Sequence, residues 1–567
     1  MNSTLVQTKP SGNTLRFIRW DKTFFLLPPF LTLLLSLCFR QGMRGTDDLG
    51  YAQTAVSLLP GVHFSSPHAP TYHDARIGIV FPLAGVFSVF GIRDFSLSLL
   101  PLLSTVLTAP LIAWLAWRFW GRTVGLTAGV LYALFPLTIN LSTVCVPEPM
   151  FIFEVCLASA LFLSAIDGQG QGAGYKEFLA GALIGVGYLT TEVGALMVPV
   201  FLLYLFVQRK ARLRDGWLLV GFMLVLCFEL TYHGVVHGNP LYHFTMTGGL
   251  PNDPAIRDAN SDLTYRLLKS YPSMFIHPNA DFGILGPLLL LGGLYGLIKW
   301  RQCSFFVMWS AVILFFYNFM SASLKHYLAL PAAPRLIAPA CVALLILSAK
   351  LVVDVWNQAR SRIGTRYSKL LAGAGALSVT LASLLFMYIN TTPDLTALIA
   401  RNAKAAEEFL QEEPSVIVVS DPRSAEAIQF YRQFNPADAY FGFEAGSRLL
   451  DSQPGNAVRK PLFVILSGPV IHEKEIKGQL YGGSLTLTAR DRDSLPLFSS
   501  DSSAQVFSTG FRMSPFLKPL LRYPSLRGVL GASGARLAQV LVEGDARLSQ
   551  VQVIRSDYRP EDKKTLH

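Results

Sequence analysis

Arg44-Gly45-Thr46-Asp47-Asp48-Leu49-Gly50-Tyr51-Ala52 opens a polar segment that continues through His68 and His73-Asp74-Ala75-Arg76 and closes at Phe90-Gly91. One apolar run, Phe24 to Cys38, precedes it, and a long series of apolar runs follows. Ionisable groups at a bilayer edge are costly unless they find partners or a ligand. A segment rich in acids and histidines, pinned between membrane helices, is therefore the expected seat of chemistry, and the rest of the chain reads as its scaffold.

The scaffold's composition fixes its class. Of 567 residues, 51% are hydrophobic and only 15% charged, with a mean hydropathy of +0.40. That balance suits a polytopic membrane protein carrying a soluble portion. Apolar runs near 23–40, 95–118, 123–142, 148–166, 177–193, 194–208, 216–235, 284–299, 303–321, 336–355 and 370–390 are candidate crossings, since a helix needs about 20 apolar residues to span the bilayer. The centre at Glu192-Val193-Gly194 favours a hairpin within 177–208. The expected fold is mainly α, with about eleven spans. The run Ile77–Phe90 is short for a crossing and is placed as a re-entrant or interfacial helix. No small-residue cleavage pattern follows the first run, so it reads as an uncleaved helix after a cytoplasmic segment, 1–22.

Basic residues test the topology. Arg118 and Arg122, Arg209, Lys210, Arg212 and Arg214, Lys299 and Arg301, and Arg360, Arg362, Arg366 and Lys369 all fall on one side. The positive-inside rule makes that side cytoplasmic. The loops 41–94, 143–147, 236–283 and 322–335, and everything after about 391, then lie outside. The net charge of +11 is thus a topology signal and excludes a nucleic-acid partner. The six cysteines sit in or beside apolar runs without zinc spacing, and no disulfide framework is expected.

The membrane domain is expected over 23–390, with 41–94 as its catalytic external loop. A small extracytoplasmic α/β domain is expected over 391–556. Ser415 to Asp421 reads as a buried strand entering a turn, Ser424 to Gln433 as a helix, and Pro461–Leu466 as a second strand. Gln539–Val542 and Val551–Ile554 are weaker strands, and 557–567 is a polar tail.

Asp47 and Asp48 are adjacent, so they cannot share a helix face and are expected to do different jobs. One acts as a base or contacts a cation while the other caps the following helix, or both are plain caps. Asp74 stands with His73 and Arg76, which is either a pair able to ligate a divalent metal or a solvated loop cluster. Glu148, Glu154, Glu192 and Glu229 all fall in the outer half of apolar runs, where a carboxylate usually faces a cavity. Lys325, His326 and Arg335 stand at headgroup level on the same side, suited to a lipid-linked phosphate or to ordinary snorkelling. His233 and His237 are spaced to share a helix face, with His243 nearby, and could hold a metal or be loop histidines. The cofactor is therefore unknown, with a divalent metal left open. The intramembrane acids alone would equally serve a transporter or flippase for a lipid-linked or small anionic substrate. That reading explains the large external loop less well and lacks a repeated half.

Asp47-Asp48-Leu49-Gly50-Tyr51-Ala52 resembles the Asp-Glu-x-x-Tyr-Ala signature in the first external loop of GT-C glycosyltransferases, which include protein O-mannosyltransferases and lipid A aminoarabinose transferases. His73-Asp74-Ala75-Arg76 and Ile77 to Gly91 stand where many members have a His or Lys, two prolines and an apolar run ending in Phe-Gly. Here Asp48 replaces the usual Glu, and Ala75 stands about where the aminoarabinose transferases have Lys. Val146-Pro147-Glu148-Pro149-Met150 resembles a later acid-and-proline segment, and Lys325 through Leu345 a late basic entry into a span. The resemblance implies a polyprenyl-phosphate-linked sugar donor and a lipid, glycan or protein acceptor. It makes Asp47 the catalytic base or acceptor-orienting acid, with Asp48 and Asp74 beside it. Tyr51, Arg76, Glu148, Lys325, His326 and Arg335 are then expected on the substrate-binding side, with Lys325, His326 and Arg335 holding the phosphate.

Overall fold

The computed structural model describes residues 22–60, 71–167, 172–209, 212–247, 264, 266, 271–276, 281–320, 330, 333–390, 395–411, 413–441, 462–467, 505–508 and 550–556. Its first twelve helices are α1 (Lys22–Cys38), α2 (Asp47–Ser57), α3 (Tyr72–Ala75), α4 (Ile77–Phe90), α5 (Asp94–Trp120), α6 (Arg122–Ala133), α7 (Pro136–Leu141), α8 (Pro147–Asp167), α9 (Ala173–Thr190), α10 (Met197–Val207), α11 (Gly216–His237) and α12 (Tyr242–Thr247). Among the described residues, six helices are long and apolar enough to cross a membrane: Asp94–Trp120, Pro147–Asp167, Leu213–His237, Trp300–Phe319, Pro334–Ile363 and Thr365–Asn390. Shorter apolar helices cover Phe25–Cys38, Ile77–Phe90, Glu192–Val207 and Leu285–Ile298. The protein is a multi-pass membrane protein.

Local chemistry sets the breaks. The apolar run 123–142 is two helices rather than one, because Pro136 has no N–H to give and holds Phe135 extended (φ −80°, ψ 115°). The hairpin expected around Glu192 is present: α9 stops at Thr190, Thr191 is extended, and a tight 3-10 turn over Glu192–Leu196 leads into α10. A Cβ on Gly194 would lie 2.3 Å from the Tyr188 nitrogen, so only glycine lets this turn close against the end of α9.

The bundle is layered around the helix Ala338–Ile363, whose residues Ala338 to Ala349 are all buried. Small residues bring neighbouring helices together. A Cβ at Gly181 would sit 1.8 Å from the Leu218 carbonyl oxygen, and one at Gly221 2.1 Å from that of Phe178, so α9 and α11 meet backbone to backbone. Toward lipid, α11 and the helix Thr365–Asn390 present exposed Leu224, Phe228, Leu371, Leu377 and Leu381.

Beyond the bundle, a helix Leu395–Leu410 and a helix Pro422–Tyr431 accompany a five-stranded sheet. Its strands are β1 (Ile417–Val419), β2 (Ala439–Phe441), β3 (Leu462–Ser467), β4 (Gln505–Ser508) and β5 (Gln550–Ser556), in the order β2-β1-β3-β5-β4. β1 runs parallel to both β2 and β3, with Val418 opposite Tyr440 and Phe463, while β5 is antiparallel to β3 and β4. The expected strand at Gln539–Val542 lies outside the described residues. The helix is displaced by two residues from the expected Ser424 start because Asp421 caps it, accepting from the Ser424 N–H at 3.0 Å, with Pro422 at the first helical position. Val418, Phe463 and Ile465 of the sheet share one buried cluster with Leu49, Ala52 and Val56 of α2 and with Val80 and Leu83 of α4. The helix bearing Asp47 thus lies between the apolar helix α4 and the helix Pro422–Tyr431 that accompanies the sheet.

Candidate active site

Asp47 begins α2, and its carboxylate faces a ring of partners drawn from distant parts of the chain. The Tyr72 hydroxyl donates to Oδ1 at 2.6 Å, Arg335 Nη2 lies 2.7 Å from Oδ2, and His73 Nε2 stands 3.8 Å from Oδ1. Burial opposes the Asp47 charge. The His73 ring, the Arg335 guanidinium and the Tyr72 hydroxyl outweigh it and hold the carboxyl well below the usual carboxylate range. Burial and the Asp47 charge push Tyr72 up, which keeps its hydroxyl a donor.

Asp48 takes the other job expected of the pair, with a difference of detail. Fully buried, it accepts from the Arg44 N–H at 2.6 Å and the Thr46 N–H at 2.7 Å, tying down the strand of chain that enters α2 rather than the first turn itself. Burial pushes its pKa up, against those two bonds. Asp74 is occupied by structure as well. It closes a capping box with Thr71 around α3, taking the Thr71 N–H at 2.7 Å, and accepts from the Thr54 hydroxyl at 2.9 Å. Its carboxylate thereby fixes α3 against α2.

Gly50 explains the spacing of the motif. A Cβ there would lie 2.6 Å from the His73 ring, so glycine is what allows His73 to pack over the first turn of α2. Tyr51 meets the same ring edge-on, 4.7 Å between centroids, and its hydroxyl accepts from Arg76 Nη1 at 2.8 Å. Arg76 is held in turn by a two-pronged pair with Glu192, at 3.2 and 3.1 Å, from the turn after α9. Glu148, at the start of α8 and 6% exposed, has Arg335 Nε 3.9 Å from Oε1, so one guanidinium reaches both Asp47 and Glu148. Further along α8, Glu154 accepts from Thr190 at 3.2 Å and is a helix-to-helix contact.

Asp47, Tyr51, Arg76, Glu148 and Arg335 therefore converge, while Asp48 and Asp74 brace the convergence from behind. Lys325 and His326 lie outside the described residues. Tyr72 was absent from the sequence reading, since a tyrosine beside a histidine in a loop carries no signal until the fold sets it on Asp47. Glu192 stood out as an acid in an apolar run, but its partner Arg76 is 116 residues away. Asp47 and Arg335 are the open part of the site, with side chains 17% and 39% exposed. A partly open acid flanked by Arg335, the His73 ring and a neutral tyrosine donor can orient a hydroxyl and receive an anion side by side.

The bundle shares its fold with solved membrane proteins. ArnT from Cupriavidus metallidurans in the apo state superposes with a TM-score of 0.54, at 14% identity, covering 82% of this chain and 96% of that one. The apo oligosaccharyltransferase of Archaeoglobus fulgidus superposes at 0.50 and 12% identity, covering 95% and 89%. In sequence, the family model for dolichyl-phosphate-mannose-protein mannosyltransferase matches residues 77–232. The undecaprenyl phosphate-alpha-4-amino-4-deoxy-L-arabinose arabinosyl transferase of Enterobacter sp. (strain 638) is 31% identical over 180 residues, 30% of this chain and 31% of its own. That of Sodalis glossinidius is 29% identical over 177 residues, 30% and 32% of the two chains. The chain thus spans about a third of the length of the curated relatives it matches.

Proposed function

We propose that the protein is an integral-membrane glycosyltransferase that moves a monosaccharide from a polyprenyl phosphate to an acceptor on the extracytoplasmic side. The observation that carries this is the meeting of Asp47, Arg335 and Glu148 at the mouth of a GT-C bundle, within a partly exposed site. The related arabinosyl transferases, whose names specify an undecaprenyl phosphate donor, support the choice of donor. On this reading the chain crosses the bilayer about eleven times, with residues 1–22 in the cytoplasm and 391–556 as an extracytoplasmic domain.

The residues divide the work as follows. Arg335, with Lys325 and His326 ten and nine residues before it in sequence, receives the donor phosphate and stabilises the charge that develops on it as it leaves. Asp47 binds the acceptor hydroxyl and aims it at the anomeric carbon. Its depressed pKa makes it a weak base, so positioning and electrostatic alignment are its larger contribution, with proton transfer completed late toward the departing phosphate. Tyr51 and Arg76 shape the wall beside it, Glu148 sets the reach of Arg335, and Asp48 and Asp74 hold α2 and α3 in register. Displacement across a single site inverts the anomeric centre.

Membranes containing full-length D47N, given a labelled polyprenyl-phosphate sugar and an acceptor extract, are expected to transfer at a rate lower by about 100-fold or more. Undiminished transfer by D47N in correctly folded protein removes Asp47 from the reaction. A product that retains the donor's anomeric configuration overturns direct displacement.

A further inference from the structure

Outside this cluster, the C-terminal end of α11 holds a second group of ionisable side chains that the transfer reaction does not use. Glu229 and His233 stand four residues apart and so share one face of the helix. Gly238, in the left-handed region at φ +66°, turns the chain back, and α12 returns His243 to that face. One ligand-capable atom from each of Glu229, His233 and His243 lies within 4.8 Å of the others. All three are buried, at 1%, 0% and 1% exposure. The His233 ring has no side-chain hydrogen-bond partner, its polar contact being with the Ala75 backbone, and Glu229 has the Tyr188 hydroxyl beside it as well as His243.

We propose that Glu229, His233 and His243 form a binding site for a divalent transition-metal cation of the zinc class. Two imidazole nitrogens and one carboxylate oxygen are the donor set that such a cation takes in tetrahedral sites with one position left for water or another ligand. Calcium and magnesium would demand more oxygens than the cluster offers. The surroundings supply the usual support: His243 Nε2 lies 3.0 Å from Glu192 Oε1, so Nδ1, on the Glu229 side, is the ligand atom, and the opposite N–H donates to a carboxylate that fixes tautomer and ring orientation. A proton on His243, shared between Glu229 and Glu192, would account for those two contacts only. It leaves the buried His233 ring, within 4.8 Å of the other two donors, without a side-chain partner, and a cation supplies one.

The site has a structural consequence. It pins α12 to α11 and continues through Glu192 to Arg76 and Tyr51, so cation loading stiffens the wall beside Asp47. It is independent of the sugar-transfer reading and stands or falls on binding. His237, one turn beyond His233, is stacked on Tyr242 at 3.8 Å, does not belong to the donor set, and serves as the control.

Full-length protein purified in detergent and stripped with chelator is titrated with Co2+, read by visible absorption, and with Zn2+, read by metal content after gel filtration. One cation per chain is expected, with a tetrahedral Co2+ spectrum and a thermal upshift on Zn2+ addition. E229Q and H233A should each weaken binding by about 100-fold, H237A should bind as the parent does, and H233C, which keeps a ligand, should restore Zn2+. Stripped parent protein that takes up neither cation stoichiometrically overturns the proposal, as does H233A binding as tightly as the parent. Where H233A does not fold, the parent's stoichiometry and the H233C result decide.

Discussion

At the scale of single residues, the site rests on one carboxylate kept ionised by neighbours of different kinds. Tyr72 gives Asp47 a hydrogen bond at 2.6 Å, and removing it in Y72F leaves the acid less stabilised as an anion. The sign follows directly. Asp47 lies below its ordinary pKa, so its ionised form is lost only at strongly acid pH; without Tyr72 that loss begins at higher pH. Y72F is expected to transfer sugar about 10-fold more slowly and to show the acid limb of its pH–rate profile shifted upward. A profile that coincides with the parent's means Tyr72 does not tune Asp47. Gly50 makes a sterner prediction. The methyl of G50A would fall 2.6 Å from the His73 ring, forcing the ring or the first turn of α2 to move, and transfer should fall by at least 10-fold, the scale at which a small displacement of reacting groups is felt. Full activity in G50A would show that His73 does not need its place over α2.

At the scale of elements, the glycines at helix crossings carry the architecture. Gly181 gives the Leu218 carbonyl its approach to α9, with no room for a Cβ. G181L must separate α9 from α11, costing about 1–3 kcal/mol for the overpacking alone and more if the hairpin at Glu192 shifts with α9. Thermal unfolding in detergent should show a clear fall in midpoint, and an unchanged midpoint would mean the two helices meet elsewhere. Placement of helices along the chain was readable from apolar run length, since a lipid-facing helix must be apolar over its full width. The break between α6 and α7 was not, because a proline within a hydrophobic run can kink a helix or end it, and the neighbouring helices decide which. The short strands β2 and β4 were equally silent, as three or four residues hold too little pattern for period-two alternation to stand out.

At the scale of the whole molecule, the sheet unit and the bundle share a core through α2. Leu49, Ala52 and Val56 pack with Ala400, Leu410, Val418 and Ile428, and Lys404 reaches Asp94 at the start of α5, 3.1 Å away. That surface salt bridge contributes little by itself, whereas the shared apolar contacts cannot be removed without exposing the back of the helix that carries Asp47. A chain ending at residue 390, although it keeps every site residue, is expected to lose transfer and to aggregate in detergent, as followed by gel filtration. A monodisperse, active truncation would separate the two units.

The sequence by itself determined the membrane class and the order of the helices, because hydropathy and basic-loop bias act locally along the chain, while it was the resemblance to known enzymes that made Asp47 and Asp48 leading candidates. Only the tertiary structure decided which of the acids does what. Asp47 and Asp48 are indistinguishable as letters, yet one faces Arg335, 288 residues on, and the other is spent on two backbone N–H groups beside it. Glu192 likewise acquires its meaning from Arg76 and His243. Charges choose partners by distance and burial in three dimensions, and a linear pattern does not contain those distances.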